Sequence, residues 1–190
     1  PRAVPGIEID RRRIITSDEA IHLKEVPKSL VVLGSGAVGV EFASIYRRFG
    51  SEVTLIEVLP RIVPNEDEAV SAELVRSFVK QGIRVLTGAR VTSVVTSDQA
   101  VQIEAQTSDG KTMTLSAETL LVAAGRAPVT TGLGVEALGI RMDKGYIVVD
   151  ETYRTSEPHV SAVGDVITVG GRPHPQLAHV VLDDGLPGQV

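Results

Sequence analysis

The chain has 190 residues, enough for one large domain or two small ones, and 43% of them are apolar, so it can bury a core. With 19 basic and 24 acidic side chains its net charge is −5, and without a long basic run this argues against nucleic acid as the main partner. No apolar stretch of 18 residues is present to span a membrane, Pro1–Gly6 does not read as a signal peptide, and the lack of cysteine removes disulfide and thiol chemistry from this chain and fits a cytoplasmic setting.

Residues 1–13 read as irregular, with Pro5-Gly6 as a turn signal and Arg11-Arg12-Arg13, beside Glu8 and Asp10, as a solvated turn. Thr16 and Ser17 are caps for a short helix reaching Leu23, stopped by Pro27. Ser29–Leu33 is short, β-branched and ended by glycine, the pattern of a buried strand. In the helix that follows, Val38, Phe42, Ile45 and Phe49 recur at spacings of 4, 3 and 4 and predict its core face. Arg47 and Arg48 oppose the dipole at its end, and Gly50 is the residue that terminates it.

Glu52–Glu57 (EVTLIE) is a second strand. Asn65 starts a further helix with Val70, Leu74, Val75, Phe78 and Val79 toward a core, Gly82 ends it, and Ile83–Leu86 is a third strand. The β-α-β-α-β order with short links predicts a parallel sheet with right-handed crossovers. The texture then changes. VTSVVTS (91–97), AVQIEAQ (100–106) and TMTLS (112–116) are short strands joined by hairpin links, an antiparallel meander. TLLVAAG (119–125) returns as an apolar strand ending in glycine. Beyond it, Arg126-Ala127-Pro128 and Gly132-Leu133-Gly134 are loop chemistry, Tyr146–Val149 and HVSAVGD (159–165) are strands, His174-Pro175 lies in a solvated loop, and Gln176–Asp184 is a helix.

Gly34-Ser35-Gly36-Ala37-Val38-Gly39 follows the first buried strand and opens a helix, the context a dinucleotide loop requires. Gly34 permits the tight turn, Gly36 lets backbone approach a pyrophosphate, and Gly39 lets helix and strand pack closely. The helix start then offers free N–H groups and a positive dipole end to phosphate. Glu57, at the end of the second strand and 18 residues past Gly39, stands where a carboxylate can accept both ribose hydroxyls of NAD and repel the 2′-phosphate of NADP. Arg61 is expected to be a solvated side chain near the adenosine. Without flanking context, a glycine turn beside a surface glutamate remains the alternative.

The run GSGAVGVEFASIYRRFGSEVTLIEVLPRIVP resembles the NAD-binding domain of the flavin-dependent pyridine nucleotide–disulfide oxidoreductases, and within them the dihydrolipoyl dehydrogenase branch. PRAVPGIEID with IITSDEAIHLKEVPKSLVVLGSG resembles the segment entering that domain, AAGRAP the segment leaving it, TSEPHVSAVGDV the second flavin-contacting motif and QLAHVVLDDG the helix after it. The resemblance implies an α/β fold with a Rossmann-like parallel sheet and an antiparallel β-meander, plus part of a second, similar FAD domain. Residues 1–24 would end a first FAD segment, 25–125 form the NAD domain and 126–190 begin the returning FAD segment.

The resemblance further implies that Gly34, Ser35, Gly36, Ala37, Val38, Gly39 and Val40 hold the pyrophosphate of NAD, that Glu41 lies near the nicotinamide, and that Val91 and Gly125 line the same site. Asp165 would accept from the ribityl chain of FAD, and Gln176, Leu177, Ala178 and His179 would approach the isoalloxazine. The family's redox cysteine pair has no counterpart here, and its first FAD segment and interface domain, with the catalytic His and Glu, would lie outside residues 1–190. On this reading the parent is a homodimeric enzyme oxidising a dihydrolipoyl-bearing protein of a 2-oxoacid dehydrogenase complex, while the chain alone binds NAD weakly, holds FAD poorly and is inactive. An NADH oxidase, ferredoxin reductase or mercuric reductase of the same family, and a non-catalytic nucleotide-binding module, stay open as alternatives. A plain Rossmann dehydrogenase is disfavoured by VSAVGDV.

Overall fold

The computed structural model describes Arg2 and residues 4–173 and divides into two compact units, Pro1–Arg126 and Ala127–Val190. In the first unit, β1 (Ile14–Ile15) leads to a single turn of helix, α1 (Ser17–Ala20), then β2 (Ser29–Leu33), α2 (Ala37–Arg48), β3 (Glu52–Ile56), α3 (Glu68–Lys80) and β4 (Arg84–Leu86). The meander is β5 (Ala89–Thr96), β6 (Val101–Thr107) and β7 (Thr112–Ala117), and β8 (Thr119–Val122) follows it. A five-stranded parallel sheet has the order β1-β8-β2-β3-β4, and the meander forms a separate antiparallel sheet, β5-β6-β7. The parallel sheet and the meander are thus as expected.

The layering explains why β2 is apolar without alternation. Leu30 and Val32 pack with Ala43, Tyr46 and Phe78 on the helical face, whereas Val31 and Leu33 pack with Val101 and Ile103 of the meander on the other. A strand covered on both faces has no solvent side to mark with polar residues.

Three expectations for this unit need correction. Of the expected face of α2, Val38 and Phe42 are half-buried against the core, but Ile45 is 42% and Phe49 64% exposed, and the buried residues are Gly39, Ala43 and Tyr46. Small residues win the core side because they let the helix axis approach the sheet, and Tyr46 fills the lower end with its hydroxyl donating to the Ala20 carbonyl at 2.7 Å. In α3, Phe78 is buried and Leu74 and Val75 are half-buried against the same core, but Val70 and Val79 face outward, and Asp67 rather than Asn65 caps the helix. Helix α1 stops at Ala20 instead of Leu23. Its start is a capping box in which Thr16 accepts from the Asp18 N–H and Glu19 accepts from the Thr16 N–H.

The second unit has its own core of Val135, Ile140, Ile147, Val149 and Ile167. Its strands β9 (Met142–Asp143), β10 (Tyr146–Val149), β11 (Ile167–Val169) and β12 (Arg172–Pro173) form a mixed sheet of order β12-β11-β10-β9. Tyr146–Val149 is a strand as expected. HVSAVGD is not: apart from a bridge between Arg154 and Ser161, residues 159–165 are irregular, and the strand begins at Ile167. Gly164, at φ 87°, breaks extended backbone there. The expected helix at Gln176–Asp184 and the His174-Pro175 loop lie outside the described residues.

Asp10 organises the turn into β1 by accepting from the backbone N–H groups of Arg12, Arg13 and Ile14, each at 2.8 Å. Partial burial would raise its pKa, but the three N–H donors and the nearby Arg12 charge outweigh it and leave the carboxyl below its ordinary 3.8. Its stabilising contribution is therefore complete above the ordinary value and is lost as pH falls through the folded one. Chemical denaturation across the acid range is expected to show a loss of stability below about pH 4 that is smaller in Asp10→Asn. Parallel curves for the two proteins would contradict it.

Candidate functional site

The glycines after β2 do different work. Gly34 has φ +101°, and a Cβ there would stand 2.6 Å from the Ala123 carbonyl oxygen. A Cβ on Gly39 would stand 1.9 Å from the Gly34 carbonyl oxygen. Packing alone demands both. Gly36 is otherwise: its φ of −66° suits any residue, a Cβ would meet nothing within 4 Å, and it is exposed. The fold therefore has no need of glycine at 36. The same residue is the N-cap of α2, and no side chain caps the helix. An uncapped N-terminus with an open approach is suited to an anion.

Glu57 is buried, 7% exposed, immediately after β3. Its Oε2 accepts from the Ser35 N–H at 2.9 Å and the Ser35 Oγ–H at 2.7 Å, and its Oε1 accepts from the Leu59 N–H at 2.9 Å. The Ser35 carbonyl in turn accepts from the Val63 N–H at 3.0 Å. Val63 holds φ at 39°, an unusual conformation for a β-branched residue. The acid thus joins the glycine loop to the segment that follows β3. Of the residues singled out from sequence, the structure brings Gly34–Gly39 and Glu57 together at the carboxyl end of the parallel sheet, where such folds take ligands. The hydroxyl of Ser35 as a partner of Glu57 was not foreseen. Its only signal in sequence was a small polar residue between two loop glycines.

Ala37 and Glu41 are exposed in the first turns of α2, and Val38 and Val40 are half-buried against the core below. Gly34 abuts Ala124, so the loop before Gly125 borders the glycine turn; Gly125 has φ +102° and its carbonyl accepts from the Arg2 N–H. Val91 is half-buried in β5, two residues past Ala89, whose N–H donates to the Glu57 carbonyl. Arg61 is half-buried rather than solvated, its Nη2 donating to the Pro64 carbonyl at 2.9 Å. A cavity of about 500 Å³ opens beside the end of β3, lined by Val58, Pro60, Thr87, Gly88, Arg90 and the tip of the meander. Another of about 450 Å³, between Asp10–Arg13 and Thr96–Asp98, includes no residue of the glycine loop. In the second unit Asp165 is half-buried after Gly164. Gln176, Leu177, Ala178 and His179 lie outside the described residues. Among the described residues no group of acidic and histidine side chains could hold a metal, and no helix is long and apolar enough to cross a membrane.

Residues 1–185 match the pyridine nucleotide-disulphide oxidoreductase family. The chain belongs to this family. It is 46% identical over 166 residues to the dihydrolipoyl dehydrogenase of Chlorobaculum tepidum, covering 87% of this chain and 35% of that protein. It is 43% identical over 189 residues to that of Bacillus subtilis, covering 98% and 38%. Leghemoglobin reductase of Glycine max is 40% identical, covering 97% and 35%. Among solved structures, LpdA of Mycobacterium tuberculosis superposes with a TM-score of 0.83 at 33% identity, covering 97% of this chain and 39% of that one. The Cu(II) complex of the HOCl-induced flavoprotein disulfide reductase RclA of Escherichia coli gives 0.82 at 32%, covering 97% and 41%. The chain spans little more than a third of the length of the curated relatives it matches. Pyridine nucleotide–disulphide oxidoreductases use FAD and NAD(P).

The two kinds of glycine are separable by experiment. Gly39→Ala is expected to lose about 1–3 kcal/mol or more through overpacking against the Gly34 carbonyl. Gly36→Ala is expected to cost less than about 1 kcal/mol, the difference between these residues at an N-cap. Thermal or urea denaturation of the two variants checks the order, and equal losses would contradict it.

Proposed function

We propose that residues 25–125 form the NAD-binding domain, and 126–190 part of the FAD domain, of a dihydrolipoyl dehydrogenase, residues 1–24 ending the flavin segment that precedes them. The observation that carries the nucleotide reading is Gly36: glycine where packing does not require it, open to the outside, at the uncapped start of α2. Gly34–Gly39 would receive the pyrophosphate through backbone N–H groups, which need no side chain to intervene. Glu57 would take the adenosine ribose. Its charge and the engagement of Arg61 with the Pro64 carbonyl both favour NAD over NADP. Glu41, exposed one turn into α2, would face the nicotinamide end, with Val91 and Gly125 lining the site.

For the flavin, Asp165 with Gln176, Leu177, Ala178 and His179 would supply the ribityl and ring contacts. A carboxylate directly after a turn glycine is suited to polyol hydroxyls. With both cofactors bound, the whole protein would carry an electron pair from a dihydrolipoyl dithiol, by way of a disulfide and flavin, to NAD. The similarity to dihydrolipoyl dehydrogenases from bacteria, yeast and plants supports that substrate, and with it a lipoyl-bearing 2-oxoacid dehydrogenase component as partner and a homodimeric parent. This chain has no cysteine to hold the disulfide, so it would bind nucleotide without turning over lipoamide.

The test is a titration of the chain with NADH and NADPH, pertinent because Arg90 lines the cavity beside Val58 and could attract a 2′-phosphate. NADH is expected to bind more tightly. Glu57→Gln, which keeps an acceptor for Ser35 and removes the charge, is expected to narrow that preference by about 1–3 kcal/mol. Tighter binding of NADPH by the unaltered chain would refute the assignment of Glu57.

A further inference from the structure

Ser71 is 2% exposed, on the buried side of α3, and its Oγ–H donates to the Ile62 carbonyl at 2.7 Å. Alanine would suit a buried helical position better, since serine is the poorer helix former and its hydroxyl needs a partner there. The partner it takes lies outside the helix. Ile62 C=O and Val63 N–H belong to one planar peptide, which is held on both edges: Ser71 donates to its carbonyl, and its N–H donates to the Ser35 carbonyl at 3.0 Å. The next link repeats the arrangement. Ser35 C=O and Gly36 N–H are opposite edges of one peptide, so the bond from Val63 fixes the direction of the Gly36 N–H in the exposed, uncapped start of α2.

The peptide held in this way is also the strained one. Val63 has φ 39°, and its half-buried side chain packs on the helical core. Turning the Ile62–Val63 peptide over, with both side chains left in place, would carry Val63 into the extended region that a β-branched residue prefers. It would also break both hydrogen bonds. Backbone strain therefore opposes the bonds from Ser71 and to Ser35.

We propose that Ser71 is a positioning residue for nucleotide binding, which fixes the Gly36 amide toward phosphate through the Ile62–Val63 peptide. The inference rests on a nucleotide phosphate lying at Gly34–Gly39, as proposed above. Ser71 acts through two peptides in series: its hydroxyl on the Ile62 carbonyl, the Val63 N–H on the Ser35 carbonyl, the Gly36 N–H on the phosphate. Bonds in such a chain polarise one another. The coupling is reciprocal, so a phosphate at Gly36 must in turn strengthen the bond from Val63 to Ser35.

The experiment titrates NADH into the unaltered chain, into Ser71→Ala and into Ser71→Ala combined with Val63→Gly, each at a temperature where denaturation shows it folded. Ser71→Ala is expected to bind NADH about three- to tenfold more weakly, the worth of one hydrogen bond. Val63→Gly removes the strain that drives the peptide over and is expected to restore most of that affinity, although it deletes a packed side chain. Unchanged affinity in Ser71→Ala would overturn the proposal, and so would a further loss in the double variant. A second measurement uses the unaltered chain alone and does not depend on either variant folding. Saturating NADH is expected to slow amide hydrogen exchange at Val63 about threefold or more beyond its effect at Leu55, which is buried in β3 and reports the core. Equal slowing at the two amides would overturn the coupling. If the unaltered chain binds no NADH, the reading of the glycine loop fails, and the proposal fails with it.

Discussion

A Cβ on residue 39 would lie 1.9 Å from the carbonyl oxygen of Gly34, and one on residue 34 would lie 2.6 Å from the carbonyl oxygen of Ala123. These two close approaches seat the start of α2 directly on the ends of β2 and β8. Several features follow. The chain turns between Leu33 and Ala37 with no room for a side chain at 34, and in that turn Ser35 lies inside and Gly36 outside. A buried Ser35 needs acceptors, and the nearest strand end supplies one in Glu57. The helix start is left facing outward without a cap. The open helix start is a by-product of the packing, and glycine at 36 keeps the approach to it clear.

Burying a carboxylate is costly unless hydrogen bonds replace its water. Glu57 meets this with three donors and no cation, and two of the donors are backbone N–H groups whose direction is fixed by the loops that carry them. The stabilisation works in both directions. The same bonds order the segment after β3, where the Leu59 N–H reaches back to the acid and the Val63 N–H to Ser35. The unusual φ of Val63 is tolerated because its amide is committed to that bond and its side chain packs on the helical core. Loop order and carboxylate orientation are one problem with one solution.

Much of this was legible in the sequence, and the exceptions share a cause. The strand–glycine–helix–strand–acid order could be read from β2 to Glu57 because each step has its own local signal: a β-branched run, turn glycines, an acid at the strand end. The meander could be read from its hairpin links. The face of α2 could be read only in part. Counting large apolar residues selects Val38, Phe42, Ile45 and Phe49, and the first two do pack on the core, but a helix that must approach a sheet closely buries its small residues, and so Gly39 and Ala43 lie inside while Phe49 lies outside. Size at a contact is set by the partner surface, which sequence periodicity does not contain. The segment 159–165 misleads for a related reason: its apolar residues are strand-like in composition, but Gly164 interrupts the extended backbone before pairing begins at Ile167. The Ser35–Glu57 bond joins residues 22 apart in sequence, and nothing local to either announces it.

That bond also bears on what an exchange of Glu57 would do to the fold. If Glu57 bonded to nothing around it, a neutral or basic residue could replace it at little cost. Glutamine would keep an acceptor for Ser35, but a basic or shorter residue would strip acceptors from the Ser35 N–H, the Ser35 hydroxyl and the Leu59 N–H. Unpaired buried donors cost about 1–3 kcal/mol each. A residue at 57 without such acceptors would therefore call for changes at Ser35, whose hydroxyl could be removed, and in the loop from Val58 to Val63. The hydrogen bonds of Glu57 thus tie any exchange at this position to the order of the glycine loop and of the segment after β3.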